Sequence, residues 1–143
     1  MYKNILIPTD GSDLSAKAVQ HGVSLAKSLG AKIVGLHVSE PFHWFDPNMM
    51  ANAEAAYQQG MKQAAAAALT AIAEAAEAAG VAYETVHAEN QFPYKAIIAT
   101  AQSRGCDLVV MASHGRRGVS AVVLGSETVK VLTHSGIPVL VCR

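Results

Sequence analysis

Two short segments near the end of the chain combine glycine and hydroxyl residues in a spacing that suits a phosphate. Ser113-His114-Gly115 follows an apolar run, and Gly125-Ser126 comes after nine intervening residues. Glycine lets a phosphate approach the backbone without a Cβ in the way. Free N–H groups at Gly115 and at a helix start at Ser126 would point at negative charge, helped by the helix dipole. The pattern predicts a phosphate-binding loop.

The intervening residues separate this loop from the common phosphate motifs. They begin with Arg116-Arg117, two cations that can reach phosphate oxygens. A P-loop needs a lysine directly after its last glycine, whereas Gly125 is followed by Ser126-Glu127, so a Walker-type site is excluded. A dinucleotide fingerprint follows the first strand of its unit, not the fourth. A connection that uses its glycines only for turns stays open as an alternative.

A carboxylate stands at the end of the first predicted strand, where the chain reads Pro8-Thr9-Asp10. The Asp10 carboxylate suits hydrogen bonds from a ribose hydroxyl, and it would repel a phosphate if it lay closer to the glycine loop. The alternative is that Asp10 only caps the helix that follows, a role for which Ser12 and Asp13 are also suited.

The histidines and cysteines show no spacing typical of metal ligands. The six histidines are scattered, with no HxxxH pair, so a metal-ligand set is not expected. Cys106 and Cys142 lack CxxC spacing and lie beside or within predicted buried strands. They are predicted to be structural thiols rather than a zinc site or a disulfide.

Alternating strands and helices would position these residues. The predicted strands are 4–8, 33–38, 81–87, 106–111 and 137–142, and the predicted helices are 16–29, 51–79, 93–103 and 126–133. Gly60 is a candidate break in the second helix. The order predicts a doubly wound parallel sheet with helices on both faces, which binds ligands at the carboxyl ends of strands where the order reverses. The Asp10 loop and the glycine loop would therefore meet at one cleft.

An aromatic and proline-containing stretch follows the second predicted strand. Residues 40–48 hold the only tryptophan, Trp44, and two of the three phenylalanines, Phe42 and Phe45. Such a loop is either a lid or interface, or a packed connection, and both interpretations stay open.

The composition is typical of one globular domain spanning residues 1–143. A 51% hydrophobic content can bury a sizeable core. Eleven basic and eleven acidic residues balance, which argues against a broad nucleic-acid interface. The apolar runs are too short to span a bilayer and the N-terminus enters a strand directly, so neither a membrane segment nor a signal peptide is expected. A cytoplasmic protein is predicted.

The chain resembles the universal stress protein family across essentially its whole length. The resemblance is carried by Ile5 to Ser12, Leu36-His37-Val38, the 106–111 strand, Ser113-His114-Gly115, Leu124-Gly125-Ser126 and Pro138-Val139-Leu140-Val141. It implies a five-stranded α/β domain with strand order 3-2-1-4-5, similar to adenine-nucleotide alpha hydrolases. It also implies a homodimer joined through the last strand, Ile137 to Cys142, and in one subgroup a bound ATP.

That subgroup carries Gly-x-x-Gly, nine residues, and then glycine followed by serine or threonine. Gly115, Gly125 and Ser126 match this motif, but Ala112 stands where the first glycine belongs. The Ala112 methyl could crowd the ligand or forbid a positive φ, so nucleotide binding is expected to be retained but weakened.

The resemblance also implies roles for individual residues. Val38 would contact the adenine and Asp10 the ribose. The phosphates would be surrounded by Gly115, Arg116, Gly125, Ser126, and Glu127 or Thr128, with Met111 and Ala112 nearby and with Pro8, Thr9 and His114 completing the candidate set. ATP is the expected ligand, with AMP and ADP as alternatives and magnesium as a bridging ion. Glu127 is an unusual neighbour for a triphosphate, and it could instead serve a metal or stabilise its own helix start.

Three functional hypotheses follow. The leading one is a nucleotide-binding regulatory module. The second is a slow ATPase or phosphotransferase with His114 or Asp10 as base or acceptor; Ser113-His114 is no nucleophile–base pair by itself, because neighbouring strand residues face opposite sides. The third is a dimeric interaction protein without a nucleotide. In each case the apolar strand Val139-Leu140-Val141 would be an aggregation hazard at an uncovered sheet edge.

Overall fold

The computed structural model describes residues 1–42, 50–115 and 123–143. Strands and helices alternate along the chain in the predicted order. They are β1 (Asn4–Pro8), α1 (Asp13–Leu29), β2 (Lys32–Ser39), α2 (Met50–Ala79), β3 (Tyr83–Glu89), α3 (Pro93–Ser103), β4 (Leu108–Ala112), α4 (Ser126–His134) and β5 (Val139–Cys142). Within the described ranges, no helix combines the length and the apolar character that crossing a bilayer requires.

The five strands form one parallel sheet with the order β3-β2-β1-β4-β5. The predicted doubly wound sheet is therefore confirmed. The chain winds from β1 outward to β3, and then places β4 and β5 on the other side of β1. The strand order thus reverses between β1 and β4, where parallel α/β sheets form their ligand crevice.

Helices cover both faces of the sheet, and each face has its own core. On one face α1 and α2 pack against alternate strand residues such as Ile5, Ile7 and Ile33. On the other face α3 and α4 pack against the intervening residues, among them Leu6 and Val34. These strands are apolar on both faces because both faces are covered, as a parallel sheet requires.

The predicted helix ends are largely confirmed, and the exceptions have local causes. Ser12 accepts a hydrogen bond from the Ser15 N–H at 3.2 Å and so caps α1, while Gly30 ends that helix with a φ of 65°. The expected break at Gly60 was wrong, because α2 runs through it without interruption. The third strand begins later than predicted, since the Val81 N–H still donates to the Ala76 carbonyl of α2.

The amino end of the sheet is closed by hydrogen bonds between its own loops. Asp107, just before β4, accepts the backbone N–H groups of Lys3 at 2.9 Å and Asn4 at 3.1 Å. Asn4 in turn donates its side-chain amide to the Gly105 carbonyl at 3.1 Å. Beside them, burial raises the pKa of the Cys106 thiol to about 11, with the neighbouring Asp107 carboxylate adding to the effect.

Candidate functional site

A cleft of about 560 Å³ opens at the carboxyl ends of β1, β2 and β4. Its size is typical of a pocket for a small ligand. The structure brings nearly all the candidate site residues to this cleft, namely Pro8, Thr9, Asp10, Val38, Met111, Ala112, His114, Gly115, Gly125, Ser126, Glu127 and Thr128. The remaining candidate, Arg116, lies outside the described residues.

The loop after β1 is held by its own polar side chains. The Thr9 hydroxyl lies 2.9 Å from the Ser15 hydroxyl and accepts the Gly11 N–H at 3.1 Å. The Asp10 carboxylate accepts the Ser12 N–H at 2.9 Å. The alternative that Asp10 caps α1 was wrong, because the Ser12 side chain does so and Asp10 shapes the turn before it.

The Asp10 carboxylate lies directly against Gly115, which follows the neighbouring strand β4. A Cβ built on Gly115 would overlap the Asp10 Oδ2 atom. Residue 115 therefore has to be glycine for this carboxylate to keep its place. The two predicted loops do converge, and they bring a negative charge to the edge of the glycine loop.

Two hydrogen bonds join the described ends of the connection from β4 to α4. The Gly125 N–H donates to the Ser113 carbonyl at 2.7 Å, and the Thr128 hydroxyl donates to the Ala112 carbonyl at 3.0 Å. Thr128 is only 2% exposed, so its hydroxyl serves the fold. A Cβ on Gly125 would lie 3.0 Å from the His114 Cα, which explains the glycine there.

The start of α4 presents backbone donors that no helix carbonyl satisfies. Gly125 is the N-cap residue and has no side chain to accept a hydrogen bond. The first helical hydrogen bond runs from the Val129 N–H to the Gly125 carbonyl at 3.0 Å. The N–H groups of Ser126, Glu127 and Thr128 are therefore left without a helical acceptor. Together with the helix dipole they favour an anion at this end of the cleft.

Glu127 lies at the start of α4 and contacts a second helix, α3. Its Oε2 atom accepts the N–H of Tyr94 at 2.9 Å, and its Oε1 atom lies 3.3 Å from the Lys130 ammonium. Tyr94 is the second residue of α3, whose N-cap residue Phe92 offers no side-chain cap. Its carboxylate therefore caps α3, and because Glu127 also lies in the first turn of α4, the alternative that it stabilises its own helix start remains open.

The described part of the cleft contains no metal site built from protein side chains alone. Across the described ranges, no group of three histidine, cysteine, aspartate or glutamate side chains is placed to hold a metal ion. Glu127, the residue expected to serve one, already uses both carboxylate oxygens on Tyr94 and Lys130.

The end of β2 turns a donor and an acceptor toward the cleft. The Leu36 carbonyl accepts the Thr9 N–H at 2.8 Å, on the β1 side, whereas the Ser39 carbonyl accepts the Asn90 N–H at 3.0 Å, on the β3 side. Backbone groups alternate along a parallel strand, so the N–H and C=O of Val38 point to the β1 side. Because the pairing of β1 with β2 ends at Pro8 and Leu36, these groups reach the cleft.

Helix α2 forms a wall of the cleft that was not expected from the sequence. Tyr57, Met61 and Ala64 line it, and their spacing of four and three residues is the signal that could have revealed a shared helix face. The Tyr57 hydroxyl donates to the Glu40 carbonyl at 2.7 Å. The Tyr57 ring also lies 5.1 Å from the ring of Phe42, in the predicted aromatic loop. The rest of that loop, 43–49, falls outside the described residues.

Other lining residues missed by the sequence interpretation come from β2 and from the helices beside it. They are Ser15, Leu36, His37, Ser39, Glu40, Pro93 and Ile97. His37 is buried, and its Nδ1 atom donates to the Thr9 carbonyl at 2.9 Å. This bond ties β2 to the loop that carries Asp10.

The side chains of Ser113 and His114 contact each other, although neighbouring residues in a strand point to opposite faces. The Ser113 hydroxyl lies 3.2 Å from His114 Nδ1. The expectation that their side chains point apart was wrong, because Ser113 follows the end of β4 and the strand alternation no longer applies. Ser113 is only 3% exposed and does not line the cleft, whereas His114 does. The serine is therefore not presented to a ligand as a nucleophile.

The comparisons with known proteins agree with this architecture. The chain matches the sequence model of the universal stress protein family over residues 1–143. Universal stress protein MJ0531 of Methanocaldococcus jannaschii is 32% identical over 146 residues, with 100% of this chain and 83% of that protein covered. Universal stress protein YxiE of Bacillus subtilis is 31% identical over 158 residues, with both chains fully covered at 100%.

Solved structures show the same fold. The structure of the hypothetical protein MJ0577 has a TM-score of 0.84 at 26% identity, covering 99% of this chain and 96% of that one. A universal stress protein in complex with cAMP has a TM-score of 0.72 at 24% identity, covering 99% of this chain and 97% of that one. At that identity the second likeness shows the fold alone.

Proposed function

The chain belongs to the universal stress protein family, and we propose that it is a regulatory module that binds an adenine nucleotide in the cleft. One observation carries this proposal. A single cleft has helix N–H groups that no helix carbonyl accepts, from Ser126 to Thr128, and also contains the strand-end donor and acceptor of Val38. The first set suits a phosphate and the second suits a base.

The adenine would be recognised by the backbone of Val38. Its N–H can donate to a ring nitrogen of adenine while its C=O accepts from the exocyclic amine. Guanine carries the reverse arrangement of donor and acceptor at the same two positions, so the Val38 pair favours adenine in one orientation. Apolar side chains from three elements, Met61, Ile97 and Met111, line the same cleft and offer surface for the faces of the base.

The phosphates would lie at the start of α4. Gly115 and Gly125 leave that side of the cleft without side-chain bulk, and the dipole of α4 points its positive end there. Asp10 would accept from the ribose hydroxyls, since its carboxylate lines the same cleft as Val38 and lies against Gly115. ATP is the nucleotide that the family resemblance predicts, and the proposal extends to ADP and AMP. A bridging magnesium ion stays a prediction of the sequence.

Titration calorimetry of nucleotide-stripped protein tests this function. We expect micromolar binding of at least one of AMP, ADP and ATP and about 100-fold weaker binding of the matching guanine nucleotide, within the range expected when a buried donor or acceptor is left without a partner. Gly115→Ala should weaken binding about tenfold or more, because the new Cβ displaces the Asp10 carboxylate. Gly136→Ala is the matched control, since a Cβ there meets nothing within 4 Å.

The absence of heat with every adenine nucleotide would refute the proposal and favour the ligand-free interaction protein. Equal binding of adenine and guanine nucleotides would refute the role of Val38. Steady ATP hydrolysis by the purified protein at enzyme-like rates would refute the regulatory interpretation in favour of the enzyme.

We further propose that the chain is a cytoplasmic homodimer joined through Ile137 to Cys142. The two edge strands differ in a way that supports this. The edge strand β3 carries Glu84 and Glu89, charges that discourage pairing, whereas β5 has none and leaves Leu140 44% exposed. Sedimentation should show a dimer at micromolar concentration, and Leu140→Asp should yield a monomer. A wild-type monomer under those conditions would contradict the proposal.

A further inference from the structure

We propose that Glu127 limits the number of phosphates that the cleft accepts, so that the protein binds AMP more tightly than ATP when no divalent cation is present. The inference rests on the proposed adenine-nucleotide function and specifies its ligand class. It follows from the contacts of Glu127 and from the charges that line the cleft.

The starts of α3 and α4 both reach the cleft, and the start of α3 is already occupied by a carboxylate. Pro93 at the start of α3 and Ser126 at the start of α4 both line it. The start of α3 already holds an anion, since the Glu127 carboxylate accepts the Tyr94 N–H at 2.9 Å. A phosphate chain that extends from α4 toward α3 would therefore meet a carboxylate where it would otherwise find a second set of N–H donors.

The charge on the described lining of the cleft also disfavours a longer phosphate chain. Three of the described lining residues carry a carboxylate, namely Asp10, Glu40 and Glu127. None of the described lining residues is lysine or arginine. The nearby cation Lys130 is already shared between the Glu127 carboxylate, at 3.3 Å, and the ring of Tyr94, at 5.6 Å. One phosphate can be satisfied by the N–H groups of α4, whereas each further phosphate adds repulsion from these carboxylates that no lysine or arginine of the described lining offsets.

Calorimetry in EDTA with adenosine, AMP, ADP and ATP measures this effect directly. We expect AMP to bind about tenfold more tightly than ATP, an effect that lies between that of one close charge pair in bulk water and that of one near a protein surface. Glu127→Gln should raise the affinity for ATP until it is close to that for AMP. The affinity for AMP should change less than about twofold, because the glutamine oxygen can still accept the Tyr94 N–H. Arg116 and Arg117 are present in wild type and variant alike, so this comparison cancels their charges.

Glu84→Gln is the matched control. Glu84 also pairs with cations, Lys32 at 3.5 Å and Arg104 at 3.2 Å, but it does not line the cleft. This variant should leave the ratio of AMP to ATP affinity unchanged. Raising the salt concentration to 0.5 M should narrow the wild-type ratio, because screening weakens repulsion between charges but leaves a purely steric limit unaffected.

The outcomes separate this inference from the proposed function. If no adenine nucleotide binds, the proposed function fails and the inference fails with it. If ATP binds as tightly as AMP in EDTA, or if Glu127→Gln strengthens both equally, the inference alone is overturned. An equal effect of Glu84→Gln would assign the preference to net charge rather than to Glu127.

Discussion

The backbone polar groups at the two ends of the sheet have different surroundings. At the amino end the loops satisfy one another, as where Asp107 accepts the N–H groups of Lys3 and Asn4. At the carboxyl end Val38 and the start of α4 direct donors and an acceptor into a cleft. Both ends are built from the same strands, so the difference lies in the connections. The carboxyl end, where these backbone groups face the cleft, is the end at which we propose that a nucleotide binds.

The largest change at the open end should come from Gly125→Val. A Cβ at this position would lie 3.0 Å from the His114 Cα, a backbone atom rather than the end of a flexible side chain, so we expect the larger valine to displace the start of α4. We expect nucleotide affinity to fall by about 100-fold, or about 2.7 kcal/mol, in calorimetric titration. A variant that melts like wild type yet binds normally would show that the position of this helix start does not matter.

At the closed end, Asp107→Ala should lower stability and spare binding. It removes the acceptor of two backbone N–H groups, and we expect a loss of about 2 kcal/mol in the free energy of unfolding by urea denaturation. Nucleotide affinity should stay within about twofold of wild type. A large loss of affinity in the folded variant would mean that the two ends are coupled, and the contrast between them would no longer hold.

The buried thiol at the closed end should make stability depend on alkaline pH. The pKa of Cys106 is raised from 9.0 to about 11 by burial, so above pH 9 the unfolded chain loses this proton first and is favoured. The protonated Cys106 thiol contributes fully to the free energy of unfolding below pH 9. This contribution, up to about 2 kcal/mol, is lost as the pH rises to 11.

Urea denaturation at pH 8 and pH 10.5 measures this loss. Cys106→Ala should be less stable than wild type at pH 8 because of lost packing, but its stability should fall less between the two values. Parallel decreases in the two proteins would assign the pH dependence to other groups, such as the lysines.

The smallest effect is expected at Gly60→Ala, which serves as the neutral reference for the glycine variants. Gly60 lies within α2, and a Cβ there meets nothing within 4 Å. Alanine favours a helix over glycine, so the variant should gain about 0.5–1 kcal/mol of stability with unchanged nucleotide affinity. Thermal melting beside calorimetry checks both parts, and any loss of binding would show that the first turns of α2 act on the cleft.

The fold could be predicted because its signals are local. Alternating apolar runs and helical periodicity determine the strands and helices, and β1 and α3 have the expected ends. Convergence of the Asp10 and Gly115 loops followed from the doubly wound order, since that order determines which strand ends are neighbours. Motif resemblance then supplied the candidate residues around them.

The contacts made by distant side chains could not be predicted. Nothing in the spacing of Glu127 indicates that its carboxylate reaches Tyr94 on another helix, 33 residues away. Tyr57 and Met61 reach the cleft only because α2 packs over the end of β2. Such contacts depend on how whole elements dock, and sequence periodicity carries no information about docking.

The central place of β1 in the sheet has a consequence for the way the protein folds. Ile5 pairs with Ile33 on one side and with Leu108 on the other, so one neighbour is close in sequence and the other requires closure of a loop of about 100 residues. Long loops slow the formation of contacts, and the part of the sheet from β1 to β3 is therefore expected to assemble before β4 and β5 dock. The cleft exists only after that docking, so a bound nucleotide would oppose local opening of the late-forming part.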